Sequence, residues 1–164
     1  MRGTAISLLL LFGTFLHAQD LAESLIDTGY DQYMESDYEG AISTFNKALD
    51  LTTTNPEIYF LRGVCFSSVG ENVKAVSDLD RAIQLNPEYF EAYYEKGYIF
   101  LSNQNAQLAM PEFDAAIKLN PNFAEAYVSR GTAKCMLEDE KGANEDWNKA
   151  KKLGVGYTEH MICE

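Results

Sequence analysis

The stretch GVCFSSVGENVKAVSDLDRA, residues 63–82, decides the fold because its landmark residues return at a fixed spacing. Within it, Gly63 is followed by Ala75, Leu79 and Ala82. The same four slots recur with one constant step and no insertion in three further sets: Gly29, Ala41, Phe45 and Ala48; Gly97, Ala109, Phe113 and Ala116; Gly131, Ala143, Trp147 and Ala150. A fixed period of this size indicates a stacked repeat array, in which each repeat buries its apolar face against its neighbours.

Each repeat has the pattern of two helices. In the second repeat, Asn55 and Pro56 are typical of a helix start, and Gly70 is placed to end that helix in a left-handed cap. The spacing predicts a first helix over residues 57–69 and a second over residues 72–85. The small glycine and alanine slots would let the two helices cross closely, with the aromatic or leucine slot filling the space beside them.

These landmarks resemble the tetratricopeptide repeat (TPR): the period, the glycine, the two alanines, the aromatic between them and a terminal proline. The resemblance covers residues 22–157 and implies an all-α fold, an α-solenoid that winds as a right-handed superhelix of four helix–turn–helix pairs. The implied repeats are 22–55, 56–89, 90–123 and 124–157, followed by a tail or partial capping turn at 158–164.

The outer repeats depart from the family pattern. Gln32 and Lys134 stand where the inner repeats have Phe66 and Phe100, and the family proline is missing from the first and last repeats. Both ends have polar outward slots, as an open end of an array requires. We therefore expect four repeats to be the whole array, capped by these residues: Ser24, Thr28, Asp31 and Glu35 at the start, and Asn144 and Lys151 at the end.

The first eighteen residues have a different composition. Arg2 precedes an apolar run over residues 5–16, and Ala18 is a plausible cleavage point. This order is typical of a secretory signal peptide. A run of this length is too short to cross a bilayer, which takes about 20 residues. We therefore predict a signal peptide at 1–18 and an exported chain, periplasmic or secreted, with no membrane span in its mature form. No cysteine follows the run, so a lipid anchor is not expected.

The net charge of -12 excludes some partner classes. Nucleic acid and anionic lipid both attract a positive footprint, so we expect neither as a partner. The three cysteines, Cys65, Cys135 and Cys163, match no metal spacing. A bond between Cys135 and Cys163 is conceivable, but we expect two small buried side chains and one free thiol in the tail.

A search for catalytic patterns finds none. His160 is the only histidine after residue 18, and no nucleophile elbow or phosphate-binding loop is present. The carboxylates recur at repeat intervals, which is typical of solvated helix faces. We therefore expect a protein that is not an enzyme and that has no metal site and no cofactor.

The TPR resemblance implies that the first helix of each pair lines a concave groove. Four slots per repeat map to that groove and define a Tyr-rich strip beside a ladder of glutamates. The predicted groove residues are Glu23, Ile26, Tyr30, Tyr33, Glu57, Phe60, Val64, Glu91, Tyr94, Tyr98, Leu101, Glu125, Val128 and Thr132.

Two interpretations of the glutamates remain open. Each could simply stabilise its helix through the dipole, worth ~0.3–1 kcal/mol, or the row could attract basic segments of a partner. Exposed Tyr and Phe side chains are usual anchors of peptide binding. Some TPR domains clamp a chaperone's C-terminal carboxylate. Here the corresponding slots include Glu91 and Glu95, which would repel such a group.

We therefore predict an exported, non-enzymatic scaffold that binds a protein or peptide, basic or apolar in character, in its concave groove. The alternative is a structural or assembly subunit of a cell-envelope complex that acts through its outer faces or end caps.

Overall fold

The computed structural model describes the backbone of residues 3–156 and 163 and the side chains of residues 19–156 and 163. In this part of the chain every element is an α-helix. The helices are α1 Gly3–Met34, α2 Tyr38–Leu51, α3 Pro56–Ser68, α4 Asn72–Leu85, α5 Phe90–Ser102, α6 Ala106–Leu119, α7 Ala124–Met136 and α8 Glu140–Lys152. The fold is an all-α solenoid of four helix pairs.

The helix boundaries of the second repeat follow the sequence pattern. The side chain of Asn55 caps α3 by accepting a hydrogen bond from the Glu57 amide at 2.8 Å. Pro56 is the first residue of α3, where its missing N–H costs nothing. Gly70 has φ +82°, so the predicted left-handed end is confirmed.

The turn inside each pair uses the same backbone conformation in all four repeats. Ser36, Gln104 and Glu138 stand where the second repeat has Gly70, and their φ angles are 64°, 58° and 64°. Left-handed backbone costs a non-glycine residue about 1–2 kcal/mol. The turn geometry is therefore imposed by the packing of the pairs and does not depend on glycine.

The core lies between the helices of each pair. All eight alanines of the repeat pattern are fully buried, as are Phe45, Leu79 and Phe113. A Cβ atom added to Gly97 would lie 2.8 Å from the ring of Phe113, and one added to Gly63 would lie 3.2 Å from Leu79. The predicted role of the small slots, to allow a close crossing, is confirmed.

The arrangement of helices creates two unlike faces. Each helix packs most closely on its partner in the pair, and α2, α4 and α6 bridge to the next repeat. The first helices also contact one another, α1 with α3, α3 with α5 and α5 with α7. Among the described residues the second helices make no comparable contact with each other. The first helices therefore line the inner, concave side.

The cysteines differ from the sequence expectation. Cys135 of α7 and Cys163 of the tail form a disulfide, with their Cα atoms 5.4 Å apart. The expectation of a free tail thiol was therefore wrong, because the repeat pattern contains no information on where the tail returns. Cys65 is fully buried and free, as expected. The prediction for 158–164 otherwise falls outside the described residues.

The predicted signal peptide, residues 1–18, lies wholly outside the described side chains. Its backbone from Gly3 onward belongs to α1, which continues without a break to Met34. No helix of the described chain combines the length and apolar character needed to cross a membrane.

Candidate functional site

The concave face carries half-exposed tyrosines in the first and third repeats. Tyr30 of α1 is 46% exposed and Tyr98 of α5 is 50% exposed. Each stands beside a second ring one turn away, Tyr33 at 6.2 Å and Tyr94 at 6.3 Å between ring centroids. The groove therefore offers large apolar surfaces with polar tips, the combination that suits interface anchors.

Other predicted groove residues serve mainly to pack the repeats together. Phe60 lies 4.8 Å from the ring of Tyr89, and Tyr94 lies 4.8 Å from the ring of Phe123 in an edge-on contact. Burial raises the pKa of Tyr94. Val128 is buried. Several more are half-buried between these: Ile26, Tyr33, Val64, Leu101 and Thr132.

The glutamate ladder divides into two kinds of position. Glu57, Glu91 and Glu125 lie in the first turns of α3, α5 and α7, where the helix dipole favours a negative charge. Glu23 lies in the middle of α1, because that helix begins at Gly3. The dipole interpretation thus applies to three of the four. Burial raises the pKa of Tyr89, and the nearby charges of Glu57 and Glu91 raise it further.

The groove is open at its N-terminal end. A cavity of about 340 Å³ lies between α1 and the end of α2. In the second and third repeats an aromatic pair occupies the matching place, but here the ring is replaced by Asn55. Two predicted groove residues line the cavity, Glu23 and Ile26.

The opposite side of α3, α5 and α7 carries a row of charged contacts, which we name the ion-pair ladder. Arg62, Lys96 and Arg130 each bridge the second helix of their own repeat and that of the preceding repeat. Their partners stand 16 residues away on either side: Asn46 and Asp78, Asp80 and Glu112, Asp114 and Asp146.

The geometry of the ladder is that of strong, charge-assisted pairing. Arg130 donates two hydrogen bonds to Asp146, at 2.8 and 2.7 Å, and a third to Asp114 at 2.7 Å. Lys134 also reaches Asp146 at 2.8 Å. Hydrogen bonds from Arg130 to Asp146 raise the pKa of the guanidinium. In the first repeat a neutral bond from Thr44 to Gln32, 2.7 Å, stands at the same level.

Sequence reasoning missed this ladder because it treated the repeated carboxylates as a solvated face. The signal was present in the second, third and fourth repeats, each of which has a cation at the same slot. That cation has an acid or Asn 16 residues before it and an acid 16 residues after it. Such a pattern places all three side chains on the same seam between repeats.

The ladder also fixes the charge of the groove. Every Lys and Arg of α1, α3, α5 and α7 is paired with a second helix. The carboxylates of the described first helices form no ion pair within the described chain: Asp20, Glu23, Asp27, Asp31, Glu57, Glu91, Glu95 and Glu125. Four of these, Glu23, Glu57, Glu91 and Glu125, are predicted groove residues, so the predicted groove carries negative charge that no cation of the described chain compensates.

Within the described residues no group of three or more His, Cys, Asp or Glu side chains is placed to hold a metal ion. The groove is thus characterised by its shape, its aromatic rings and its negative charge.

Comparison with known proteins identifies the repeats. Residues 68–124 match the family profile described as tetratricopeptide repeat. The solved structure titled "Crystal structure of MamA" superposes with a TM-score of 0.77 at 28% identity, covering 87% of this chain and 84% of that one. The chain carries a tetratricopeptide-repeat segment at residues 68–124, and its four helix pairs have the fold of TPR solenoids. A search of curated proteins gave no significant match.

Two further TPR structures share the fold at lower identity. One is described as "YrrB: a TPR protein with an unusual peptide-binding site", with a TM-score of 0.72, 23% identity, and coverage of 88% of this chain and 73% of that one. The other is the first TPR domain of Spaghetti (RPAP3) bound to the HSP90 peptide SRMEEVD, with a TM-score of 0.70, 24% identity, and coverage of 73% and 94%. A TPR solenoid of this kind is a scaffold for protein–protein interaction.

Proposed function

We propose that this TPR protein is an exported interaction scaffold that binds a peptide or a segment of a partner protein in its concave groove. The proposal depends on one observation. The concave face has both half-exposed rings, Tyr30 and Tyr98, and carboxylates that form no ion pair within the described chain. Aromatic side chains at the centre of a concave surface are the usual source of binding energy at interfaces.

The structural neighbours support the same role. YrrB is described as having an unusual peptide-binding site, the RPAP3 domain is bound to an HSP90 peptide, and both share the fold of this chain. The partner proposed here differs in charge from the acidic HSP90 peptide. Ile26, Tyr30, Leu61, Glu91 and Glu95 occupy the slots where a carboxylate clamp would need basic or amide groups. A basic or apolar segment is the better match.

The disulfide between Cys135 and Cys163 supports export. Disulfides persist in the periplasm and outside the cell, whereas cytosolic thiols are kept reduced. The signal-peptide pattern of residues 1–18 points to the same compartment. Fractionation of the producing cells should give an exported form that begins near Gln19 and contains one free thiol. A cytosolic protein with three free thiols would contradict this part of the proposal.

Site-specific crosslinking tests the groove. We would replace Tyr98 by the photoreactive residue benzoylphenylalanine and irradiate cells that produce the protein. The matched control carries the same residue at Glu145, which is exposed on α8. We expect a crosslinked adduct from Tyr98 and none of that mass from Glu145. An adduct that forms equally from both positions would argue against the groove as the site.

Binding to the crosslinked partner should then be measured with Tyr98→Ala. Because Tyr98 is half exposed, the substitution should change the free energy of unfolding by less than about 0.5 kcal/mol. Affinity should fall about tenfold or more, as for an interface anchor. It should also weaken as salt is raised, since the carboxylates are solvent-accessible.

An assembly role is the second candidate, and one feature favours it. Apolar side chains near the turns within the pairs are unusually exposed, with Val73 at 87%, Met34 at 64% and Leu108 at 49%. They lie at the ends of the helices and not on the groove slots. A stable multimer in light scattering that dissociates with Val73→Ser and is unaffected by Tyr98→Ala would favour this role over the groove.

A further inference from the structure

Glu95 is one of the first-helix carboxylates that form no ion pair within the described chain. Glu95 lies in α5 and is only partly exposed. It makes no hydrogen bond or ion pair with any described residue. Burial raises the pKa of Glu95. An isolated carboxylate in such a place costs free energy, so its presence in the fold is not explained by stability.

The side chain faces the inner surface across several repeats. Burial raises the pKa of Tyr33 in α1, and the charge of Glu95 raises it further, with a smaller contribution from Cys65 of α3. The charge of Glu95 in the third repeat therefore acts on the ring of Tyr33 in the first repeat. It also acts on Tyr94 in its own helix, and the two effects together place its carboxylate on the concave side that the first helices line.

No cation of the first helices can serve Glu95. The adjacent Lys96 is held by Asp80 at 2.8 Å and Glu112 at 3.0 Å, on the other side of α5. Arg62 and Arg130 are held in the same way on α3 and α7. The ion-pair ladder therefore draws the positive charge of these helices away from the groove.

The fold itself does not need an acid at this slot. In the second repeat the equivalent residue is Leu61, which is buried in the core, and in the fourth it is Ser129, which is also buried. An apolar or small neutral residue thus fits between first helices. The first repeat also has an acid at this slot, Asp27, but it is exposed, so Glu95 is the one partly buried acid among the four equivalent residues.

We propose that Glu95 accepts the side chain of a Lys or Arg residue of the bound segment, with the ring of Tyr98 beside the cation. This inference rests on the proposed groove function and adds the chemical class of the partner. Three features carry it: an unpaired carboxylate on the concave side, nearby aromatic rings that attract cations, and a groove whose own cations are all tied elsewhere. The cation of the partner would form the ion pair that Glu95 does not form within the described chain.

The test uses a random peptide library displayed on phage and selected against the purified full chain. Peptides that compete with one another for binding are then made synthetically with an acetylated N-terminus, so that a terminal amine cannot replace a side chain. We expect a Lys or Arg at a common position in the selected peptides. Replacing it by norleucine should weaken binding about tenfold or more.

A double-substitution cycle identifies the acceptor. With Glu95→Gln, the basic peptide should lose about as much affinity as the norleucine peptide loses with the wild type. The norleucine peptide should bind Glu95→Gln and the wild type equally. Glu145→Gln on α8 is the matched control and should leave both affinities unchanged. Glu95→Leu, which copies the residue of the second repeat, provides a second variant compatible with the core.

The outcomes separate the two proposals. If selected peptides lose affinity with Tyr98→Ala but contain no basic residue, or if norleucine costs the same affinity in Glu95→Gln as in the wild type, the Glu95 inference is wrong and the groove remains. A basic position that couples to Glu95 supports the inference. If no peptide is enriched, or if those enriched are unaffected by Tyr98→Ala and by Glu95→Gln, both proposals are overturned.

Discussion

Glu95 and Lys96 are neighbours in the sequence, yet they lie on different faces of α5. On one face the charged side chain forms ion pairs, and on the other it does not. Lys96 is held by two carboxylates from two repeats, as is the equivalent Arg130, whereas Arg62 is held by one carboxylate and the amide oxygen of Asn46. Glu95, on the groove side, has no partner in the described chain. Charged side chains between the repeats are neutralised by ion pairs, whereas the groove carboxylates are not. In this molecule the residues that hold the array together and those available to a partner are therefore separate sets.

The largest expected effect comes from breaking the ladder at its most buried point. The side chain of Asp146 is 6% exposed and forms ion pairs with Arg130 and Lys134. Asp146→Ala would leave two partly buried cations without their acid. We expect a loss of about 3 kcal/mol in the free energy of unfolding, since removing one member of a buried pair costs ~3–5 kcal/mol. Urea denaturation followed by circular dichroism measures it.

The matched control is Asp114→Ala, because Asp114 binds the same Arg130 but is 55% exposed. Exposed pairs contribute at most about 1 kcal/mol, so the control should lose less than that. Equal losses for Asp114→Ala and Asp146→Ala would show that burial does not set the strength of the ladder. In that case the ion pairs between the repeats would not be what stabilises the array.

The slots that define the fold were predictable because their chemistry is simple. Every repeat has a glycine at the slot of Gly97 and a large apolar residue at the slot of Phe113, since two helices can cross closely only where a small residue faces a large one. The second-repeat helices were predicted to within one residue, at Pro56–Ser68 and Asn72–Leu85. Because the same residue pattern occurs in all four repeats, it could be recognised from the sequence without any tertiary information.

The ladder and the disulfide depend on features that the repeat landmarks do not contain. Arg62 and Asp78 lie on different helices, and their pairing at 2.7 Å depends on how those two helices cross. That geometry becomes visible in the sequence only if charges are compared across repeats. The bond from Cys135 to Cys163 depends on the path of the tail after the last repeat, which no repeat encodes.

The groove was predictable in outline and less so in detail. The repeat period assigned Tyr94 and Tyr98 to the same face, but only the packing separates them. Tyr94 is turned against Phe113 and Phe123, whereas Tyr98 remains half exposed. Phe123, which follows the second helix of the same repeat, packs against Tyr94, and it was not among the predicted groove residues.

The next effect concerns the groove side of the comparison. Because burial raises the pKa of Glu95 above its ordinary value of 4.5, the folded state binds its proton more tightly than the unfolded chain does. Glu95 therefore lowers stability as pH rises from about that value through the folded pKa. Glu95→Gln should raise the free energy of unfolding at pH 7 by about 1 kcal/mol, the lower end of the cost of an unpaired buried polar group.

The gain from Glu95→Gln should disappear below pH 4, where the wild-type carboxyl is itself neutral. Urea denaturation of both proteins at pH 7 and pH 4 measures the difference, and Glu145→Gln serves as an exposed control with no such dependence. A loss of stability at pH 7 would mean that Glu95 has a partner in the fold. In that case it would belong with Lys96 and not with the groove.

The smallest expected effect is a shift in the titration of Tyr33. Burial is the main cause of its raised pKa, and the charge of Glu95 is the next. Glu95→Gln should therefore lower the pKa of Tyr33 while leaving it above the ordinary value of 10.0. The ¹³C signal of the tyrosine Cζ atom, assigned with Tyr33→Phe, reports this from pH 9 upward. The array should stay folded there, because hydrogen bonds to Asp80 and Glu112 outweigh the effect of burial and raise the pKa of Lys96. An unchanged Tyr33 would mean that Glu95 does not reach across the concave face, and its place on the concave side would have to be given up.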